Sequence, residues 1–184
     1  MASSQSWSEE WKSIGLGARL SEPGSQMTNL LFVQMGFGVD QHGNDGEKHG
    51  GTGQGATKAA VRAVRNAIEF NSIPGIVEAV PGGRDEMLIS LKLGVPVKRG
   101  SNDDVMDVKL EEVAKVFPYG RLLPIEVVVG GLSFHTGRIV RELGDVDDMA
   151  VCVASCVSIG YDSGKRSEGG SGTLHKLYDT NDCV

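Results

Sequence analysis

Asp40 and His42 stand two positions apart, directly after a short apolar segment that ends in glycines. In an extended backbone, side chains at positions i and i+2 project to the same side, so the carboxylate can orient or polarise the imidazole. Histidine changes its charge near neutral pH, which suits it to moving a proton at carbon or oxygen. The pair therefore predicts acid–base chemistry, with His42 as the general acid/base and Asp40 as the residue that orients it.

The same residues allow two other interpretations. Imidazole and carboxylate groups bind zinc, iron or manganese, so Asp40, His42 and His49 form a candidate metal site. Asp and His are also common turn residues, and they would then serve only to stabilise a turn. We rank proton transfer above metal binding, because His49 lies in a glycine-rich segment that does not fix its distance from the other two. The leading hypothesis therefore includes no cofactor, and a metal ion is the lesser alternative.

Residues on both sides of the pair are candidates for substrate binding. Gly36 and Gly38 free the backbone for a positive φ angle or for the close approach of another group, and we expect them to shape the pocket. Lys58 and Arg62 follow on the next predicted helix, where a basic side chain near the N-terminus can bind an anionic or carbonyl oxygen. A basic stripe is more often a solvated helix face, and this interpretation stays open for both residues.

Three further polar residues stand out from their surroundings. Lys92 and Glu126 fall within predicted strands whose faces are otherwise apolar, which indicates a sheet margin or a functional pairing. We include both among the substrate-binding candidates. His135 would bring a second histidine from a distant loop, although an ordinary loop residue is the simpler interpretation.

Familiar ligand-binding signatures are incomplete in this chain. The Gly36-x-Gly38 pattern lacks the third glycine of a dinucleotide fingerprint, and Gly50–Lys58 lacks the Gly-Lys-Ser/Thr ending of a phosphate loop. The three cysteines have no CxxC spacing, so a structural zinc site is not expected. Their odd number and irregular spacing are typical of a reducing compartment.

Composition limits the possible partners. The chain has 184 residues, a net charge of −6 and a pI near 5.2, which argues against nucleic-acid binding, since that needs a clustered basic surface. The sequence shows no apolar stretch of membrane-spanning length and no signal-peptide core at its N-terminus. We therefore expect a cytoplasmic protein whose partners are a small-molecule substrate and further copies of the chain.

Hydrophobic periodicity predicts one domain between two flexible ends. Residues 1–26 and 163–184 are polar or glycine-rich and are expected to be extensions, and residues 27–162 form the domain. Within the domain, apolar stripes at helical spacing alternate with apolar runs of strand length. The predicted elements are, in order, a strand at 28–35, a helix at 56–70, a strand at 87–93, a helix at 107–116, and strands at 122–129 and 149–161.

The order β-α-β-α-β-β predicts the α+β class, a two-layer arrangement. Its simplest packing places two helices on one face of a mixed sheet of about four strands. The sheet then has a second face, and several side chains that point towards it are apolar. Because an exposed apolar face needs a cover, we expect a homo-oligomer. Folding of either end of the chain over this face is the alternative.

The glycines, the aspartate and the histidine also form a longer motif. Gly36–Gly43 matches the pattern G-x-G-x-D-x-H-G in full, and the chain thereby resembles an uncharacterised family of conserved hypothetical proteins from bacteria, fungi and plants. The resemblance covers Met27 to Tyr161, although Gly43–Thr57 is longer here than in the usual member. It implies a functional site rather than a turn, and it names no reaction. The other stretches that carry it are 57–68, 73–76, 80–83, 92–96, 116–120 and 125–128.

The leading hypothesis is a small, cofactor-independent enzyme that transfers protons on a small polar or carbonyl-containing metabolite. An isomerase, a cyclase, a lyase or a hydrolase would fit this description. The alternatives are a non-catalytic oligomer that binds a small molecule, and a metal protein that uses Asp40 and His42. In an enzyme both side chains should open onto a pocket, whereas in a turn they would bond only to local backbone.

Overall fold

A computed structural model describes residues 17–42, 55–69, 73, 75–143, 145 and 147–164. The helices in this part of the chain are α1 (Gly55–Glu69), α2 (Ile76–Ala79) and α3 (Leu110–Ala114), with short 3₁₀ helices at Gly83–Asp85 and Arg141–Leu143. The strands are β1 (Arg19–Leu20), β2 (Asn29–Asp40), β3 (Leu88–Val95), β4 (Arg121–Leu122), β5 (Glu126–Val129), β6 (Leu132–His135) and β7 (Met149–Tyr161).

Strand β7 lies at the centre of the sheet. Strands β2 and β3 pair antiparallel with its two edges. Strand β3 pairs in parallel with β4 near its start and with β5 near its end, β1 extends the sheet beside β4, and β6 pairs with the start of β7. The predicted α+β class is confirmed, although the described sheet has seven strands rather than about four.

The additional strands lie in segments that the sequence pattern predicted as a single strand or did not predict as a strand. The strand predicted at 122–129 is divided at Pro124, which has no main-chain N–H for a ladder, so β4 and β5 pair with different ends of β3. At Gly131 the chain takes a φ angle of 67°, and the four residues that follow it pair with β7 as β6. The predicted sheet order therefore lacked the strand that leads towards the candidate site.

Helix α1 packs on the sheet through a row of small side chains. Ala59, Ala63 and Ala67 recur every fourth residue, and all three are buried. They lie over Gly36 and Gly38 of β2, where an added Cβ atom would overlap the main chain of the helix. The two glycines thus allow the close approach of α1 to the sheet.

Strand β2 runs through these glycines instead of ending at them. Strand β7 pairs with it along its length, from Asn29 opposite Tyr161 to Asp40 opposite Val151. The predicted strand end at residue 35 is therefore wrong, because pairing with β7 keeps the glycines extended. The longer strand carries Asp40 into the sheet and leaves His42 in the turn that follows.

The outer edge of β2 is bonded to side chains of α1. The Phe37 N–H donates to the Asn66 side-chain oxygen at 3.0 Å, and the Arg62 guanidinium donates to the Val39 carbonyl oxygen. No strand in the described residues pairs with this edge. Asn66 and Arg62 thus occupy main-chain groups that an added strand would otherwise use.

Residues 17–22 belong to the domain rather than to a flexible extension. Ala18 is 2% exposed, and its N–H donates to the Phe117 carbonyl oxygen at 3.0 Å. Arg19 and Ser21 donate in the same way to Gly120 and Leu122, so β1 is held at the edge of the sheet. The predicted boundary at residue 26 is therefore wrong. Of the two predicted extensions, residues 1–16 and 165–184 lie outside the described residues.

The sheet face opposite α1, which we call the open face, carries exposed apolar side chains. Alternate residues of β2 point to it and are between 39% and 59% exposed. Lys92 and Glu126 form an ion pair on the same face, with 3.0 Å between Nζ and Oε2. The apolar residues that β2 contributes to the open face are Val33, Met35, Phe37 and Val39.

Candidate functional site

His42 is bonded to a carboxylate from a distant part of the chain. Its Nδ1 lies 2.8 Å and 3.0 Å from the two side-chain oxygens of Asp145. His42 follows β2, whereas Asp145 precedes β7, and the antiparallel pairing of these strands brings the two residues together. The Asp145 side chain is 2% exposed and that of His42 is 35% exposed, so the carboxylate lies behind the ring and the ring faces outwards.

The Asp145 carboxylate is held in its ionised form. The Val140 N–H donates to its Oδ2 at 2.6 Å, and this bond is the largest cause that lowers the pKa of Asp145 below its usual value of 3.8. Burial acts in the opposite direction, and the bond to His42 adds to the lowering. An ionised carboxylate can only accept hydrogen bonds, so Nδ1 of His42 must be the donor. In the neutral ring the lone pair is then on Nε2.

A cleft of about 360 Å³ opens in front of the His42 ring. Within the described part of the chain, Nε2 has no hydrogen-bond partner, so it can exchange a proton with a molecule in the cleft. The residues that line the cleft are Gln41, His42, Thr136, Arg138, Val140 and Leu143.

Asp40 does not contact His42, and its predicted role as the residue that orients the ring is filled by Asp145. Asp40 is 4% exposed, and its Oδ1 accepts a hydrogen bond from Arg62 Nη1 at 3.0 Å. The prediction assumed that the strand conformation continues to residue 42, but the chain turns after Asp40. Asp40 instead shares the α1 side of β2 with Gly36 and Gly38.

Asp40 and Arg62 together fix the end of β2. The same Arg62 nitrogen that binds Asp40 also donates to the Val39 carbonyl oxygen. These bonds hold Val39 and Asp40, which directly precede Gln41 and His42. They can therefore position the His42 ring without contacting it. The second Asp40 oxygen, Oδ2, is buried and has no hydrogen-bond partner among the described residues.

The other predicted binding residues do not line the cleft. Gly36 and Gly38 lie beneath α1 instead of shaping the pocket, because their missing side chains make room for the helix. Lys58 is exposed on α1, and Lys92 and Glu126 pair with each other on the open face. His49 of the alternative metal site lies outside the described residues. The described residues contain no group of three or more His, Cys, Asp or Glu side chains suited to hold a metal ion.

Comparisons with other proteins place the chain in a family. Residues 30–159 match the model of a conserved hypothetical protein family, Lin0512_fam. The chain belongs to this family. A solved structure that is similar to it is that of an FtsZ-like protein of unknown function from Nostoc punctiforme, which is 34% identical. That similarity covers 74% of this chain and 100% of the other, with a TM-score of 0.55. A comparison with curated protein sequences gives no match.

The Lin0512_fam match includes both residues of the His42–Asp145 hydrogen bond, since it spans positions 42 and 145. Sequence reasoning identified His42 and missed Asp145, Arg138 and Thr136. These three residues lie in the polar segment that precedes β7. The sequence feature that could have indicated them is the group of acidic residues at the end of this segment. In an antiparallel pair the start of one strand lies beside the end of the other, so an acid just before β7 lies near the end of β2.

A second histidine–aspartate pair lies in the same segment of this Lin0512_fam protein. His135 Nδ1 is 2.8 Å from Asp148 Oδ1, and Asp148 Oδ2 accepts a hydrogen bond from the Gly137 N–H at 3.1 Å. The bond to His135 is the largest cause that lowers the pKa of Asp148. His135 is therefore the last residue of β6 with a defined partner, and not an ordinary loop residue. Its side chain is 66% exposed and does not line the cleft.

The longest helix in the described part of this Lin0512_fam protein is α1, with 15 residues. In the parts of the chain that the structure describes, no helix is both long enough and apolar enough to cross a lipid bilayer.

Proposed function

We propose that this protein is a small enzyme that uses His42 as a general acid/base on a small polar or carbonyl-containing metabolite. The observation that supports this most directly is the bond of 2.8 Å between His42 Nδ1 and the buried Asp145 carboxylate, at the wall of an open cleft. A carboxylate behind a histidine fixes its tautomer and stabilises the imidazolium ion that forms when the ring takes a proton. The reaction class is that of an isomerase, cyclase, lyase or hydrolase.

The geometry supports a simple sequence of steps. The neutral ring, with its proton on Nδ1, takes a proton at Nε2 from a carbon or oxygen of the substrate. The ionised Asp145 then faces a charged ring at hydrogen-bond distance, which lowers the energy of the charged state. Return of the proton to another atom, or to a leaving group, restores the neutral ring. None of these steps uses a cofactor.

Proton exchange at carbon tests this proposal before the natural substrate is known. The purified protein is incubated in D2O with a panel of small carbonyl compounds, both neutral ketones and oxo acids, and deuterium uptake is followed by mass spectrometry. We expect uptake above the buffer rate for at least one compound. His42→Gln should lower it by about 10²-fold or more, because an amide cannot take up the proton.

His135→Gln is the matched control for this experiment, because it alters the histidine of the other histidine–aspartate pair. It should keep most of the wild-type exchange rate. A His42→Gln protein that exchanges deuterium as fast as the wild type would contradict the proposal. Unfolding in urea shows whether either variant has lost its fold.

We propose further that a second copy of the chain covers the open face. The apolar side chains of β2 form a row there, and exposed patches of this kind are typical of interaction sites. Arg62 and Asn66 occupy the main-chain groups at the edge of β2, so we expect contact through the face rather than edge-to-edge pairing. The Lys92–Glu126 pair carries both charges within the face, which suits a self-complementary contact.

Phe37→Glu is expected to convert this oligomer to a monomer. Phe37 is 59% exposed on the open face, so a glutamate there leaves the isolated fold intact but places a charge in the apolar contact. Leu20→Glu is the matched control, because Leu20 is 71% exposed on β1, at the far edge of the sheet. Light scattering after size-exclusion chromatography gives the mass of each. A wild-type protein that is monomeric at all concentrations would contradict this proposal.

We propose that the protein is cytoplasmic. Cys152 and Cys156 are both free thiols in the structure, and the chain has an odd number of cysteines in all. Unpaired thiols of this kind are typical of a reducing compartment.

A further inference from the structure

Arg138 is the cation of the cleft, and the main chain on both sides of it is fixed. On one side, the Thr136 N–H donates to the Asp148 carbonyl oxygen at 2.8 Å, and the Arg138 N–H donates to the Thr136 hydroxyl at 3.2 Å. On the other side, the Val140 N–H is bonded to the buried Asp145. Arg138 therefore projects from a short segment that is held at both ends, which is the condition for a preorganised binding group.

The two carboxylates that bind the histidines of this region are already engaged by other groups as well. Asp145 accepts from His42 and from the Val140 N–H, and Asp148 accepts from His135 and from the Gly137 N–H. Among the described residues, the Arg138 guanidinium forms no ion pair with any carboxylate. The cleft thus presents a positive group beside His42, in a chain whose net charge is −6.

We propose that the cleft binds a small organic anion, whose carboxylate or phosphate group pairs with Arg138 while the atom that exchanges a proton lies at His42 Nε2. A guanidinium group forms two parallel hydrogen bonds to either kind of anion, so it can set the orientation of the molecule. The cleft of about 360 Å³ is large enough for a small metabolite. This inference rests on the proposed function and adds the substrate class to it.

The experiment measures binding of two probes, inorganic phosphate and malonate, by NMR titration of the ¹⁵N-labelled full chain. We expect the backbone amides of residues 136–140 to shift on addition of at least one probe. Arg138→Gln should weaken that binding about tenfold or more, because a charge-assisted hydrogen bond is lost. The probe that binds more tightly shows whether the site prefers a phosphate or a carboxylate.

Two further variants test whether anion binding depends specifically on the guanidinium group of Arg138. Arg141→Gln removes the same charge three residues away, outside the lining of the cleft, and should change the dissociation constant no more than about twofold. Arg138→Lys keeps the charge without the planar fork and should restore part of the affinity. Equal affinity in the wild type and Arg138→Gln, an equal loss in Arg141→Gln, or no shift with either probe would overturn the inference.

The two proposals fail in different ways. If His42→Gln loses deuterium exchange but Arg138→Gln binds both probes like the wild type, the substrate class is wrong and the acid–base role stands. If Arg138→Gln loses anion binding but His42→Gln exchanges deuterium normally, the cleft binds anions and the acid–base role of His42 is wrong.

Discussion

Replacing Gly38 with alanine is expected to destabilise the protein by about 3 kcal/mol, the upper part of the usual range for overpacked interiors. The added Cβ atom would overlap the main-chain oxygen of Ala59 and the main-chain nitrogen of Ala63. These atoms belong to the backbone of α1, so a side-chain rotation cannot relieve the overlap and the helix must move away from the sheet. The movement would also disturb the Arg62–Asp40 contact.

Gly94→Ala is the matched control for this substitution. Gly94 also lies in a strand of the same sheet, but the nearest atom to its added Cβ, the Gly131 nitrogen, is 3.5 Å away, which is an ordinary contact. Its effect should stay within about 1 kcal/mol. Urea unfolding followed by circular dichroism measures both variants. If Gly38→Ala has the same midpoint as the wild type, α1 does not pack on β2 as closely as the structure shows.

The elements that sequence reasoning predicted best are the long ones with strong periodicity. Strand β7 has the predicted bounds of 149–161, and α1 (Gly55–Glu69) coincides with the helix predicted at 56–70 over all of its described residues but the first. Their apolar patterns extend over many residues, so local exceptions carry little weight. The glycines of β2 were misread as a strand end because their role depends on α1, which packs on them from elsewhere in the chain.

The candidate site was predicted only in part, for a similar reason. His42 was identified from its own surroundings, but its carboxylate partner lies 103 residues away in the chain. Asp40 was the nearer acid in sequence, and the end of the strand separates it from the ring. Only the pairing of β2 with β7 brings Asp145 to His42, and a single sequence gives no direct sign of such pairing. Arg138 was missed because the turn that places it depends on bonds to Asp148 and Asp145.

Asp145→Asn should reduce deuterium exchange by up to about 10⁴-fold, the loss seen when the carboxylate behind a catalytic histidine becomes an amide in serine proteases. The Val140 N–H needs an acceptor, so the amide oxygen should take the position of Oδ2. The amide NH2 group would then face Nδ1 of His42 and donate to it. Nδ1 must then accept this hydrogen bond, so the ring proton moves to Nε2. Because Nε2 no longer has a free lone pair, it cannot accept a proton from the substrate.

Asp148→Asn makes the same chemical change in the pair that includes His135, outside the lining of the cleft, and should keep most of the exchange rate. The ¹⁵N shifts of the His42 ring report its tautomer directly, and they should change in Asp145→Asn alone. This readout separates the proposed role from a loss of fold, which would alter the whole spectrum. If Asp145→Asn changes the tautomer but exchanges deuterium at the wild-type rate, His42 does not act through Nε2, since proton transfer there requires the lone pair that the substitution removes.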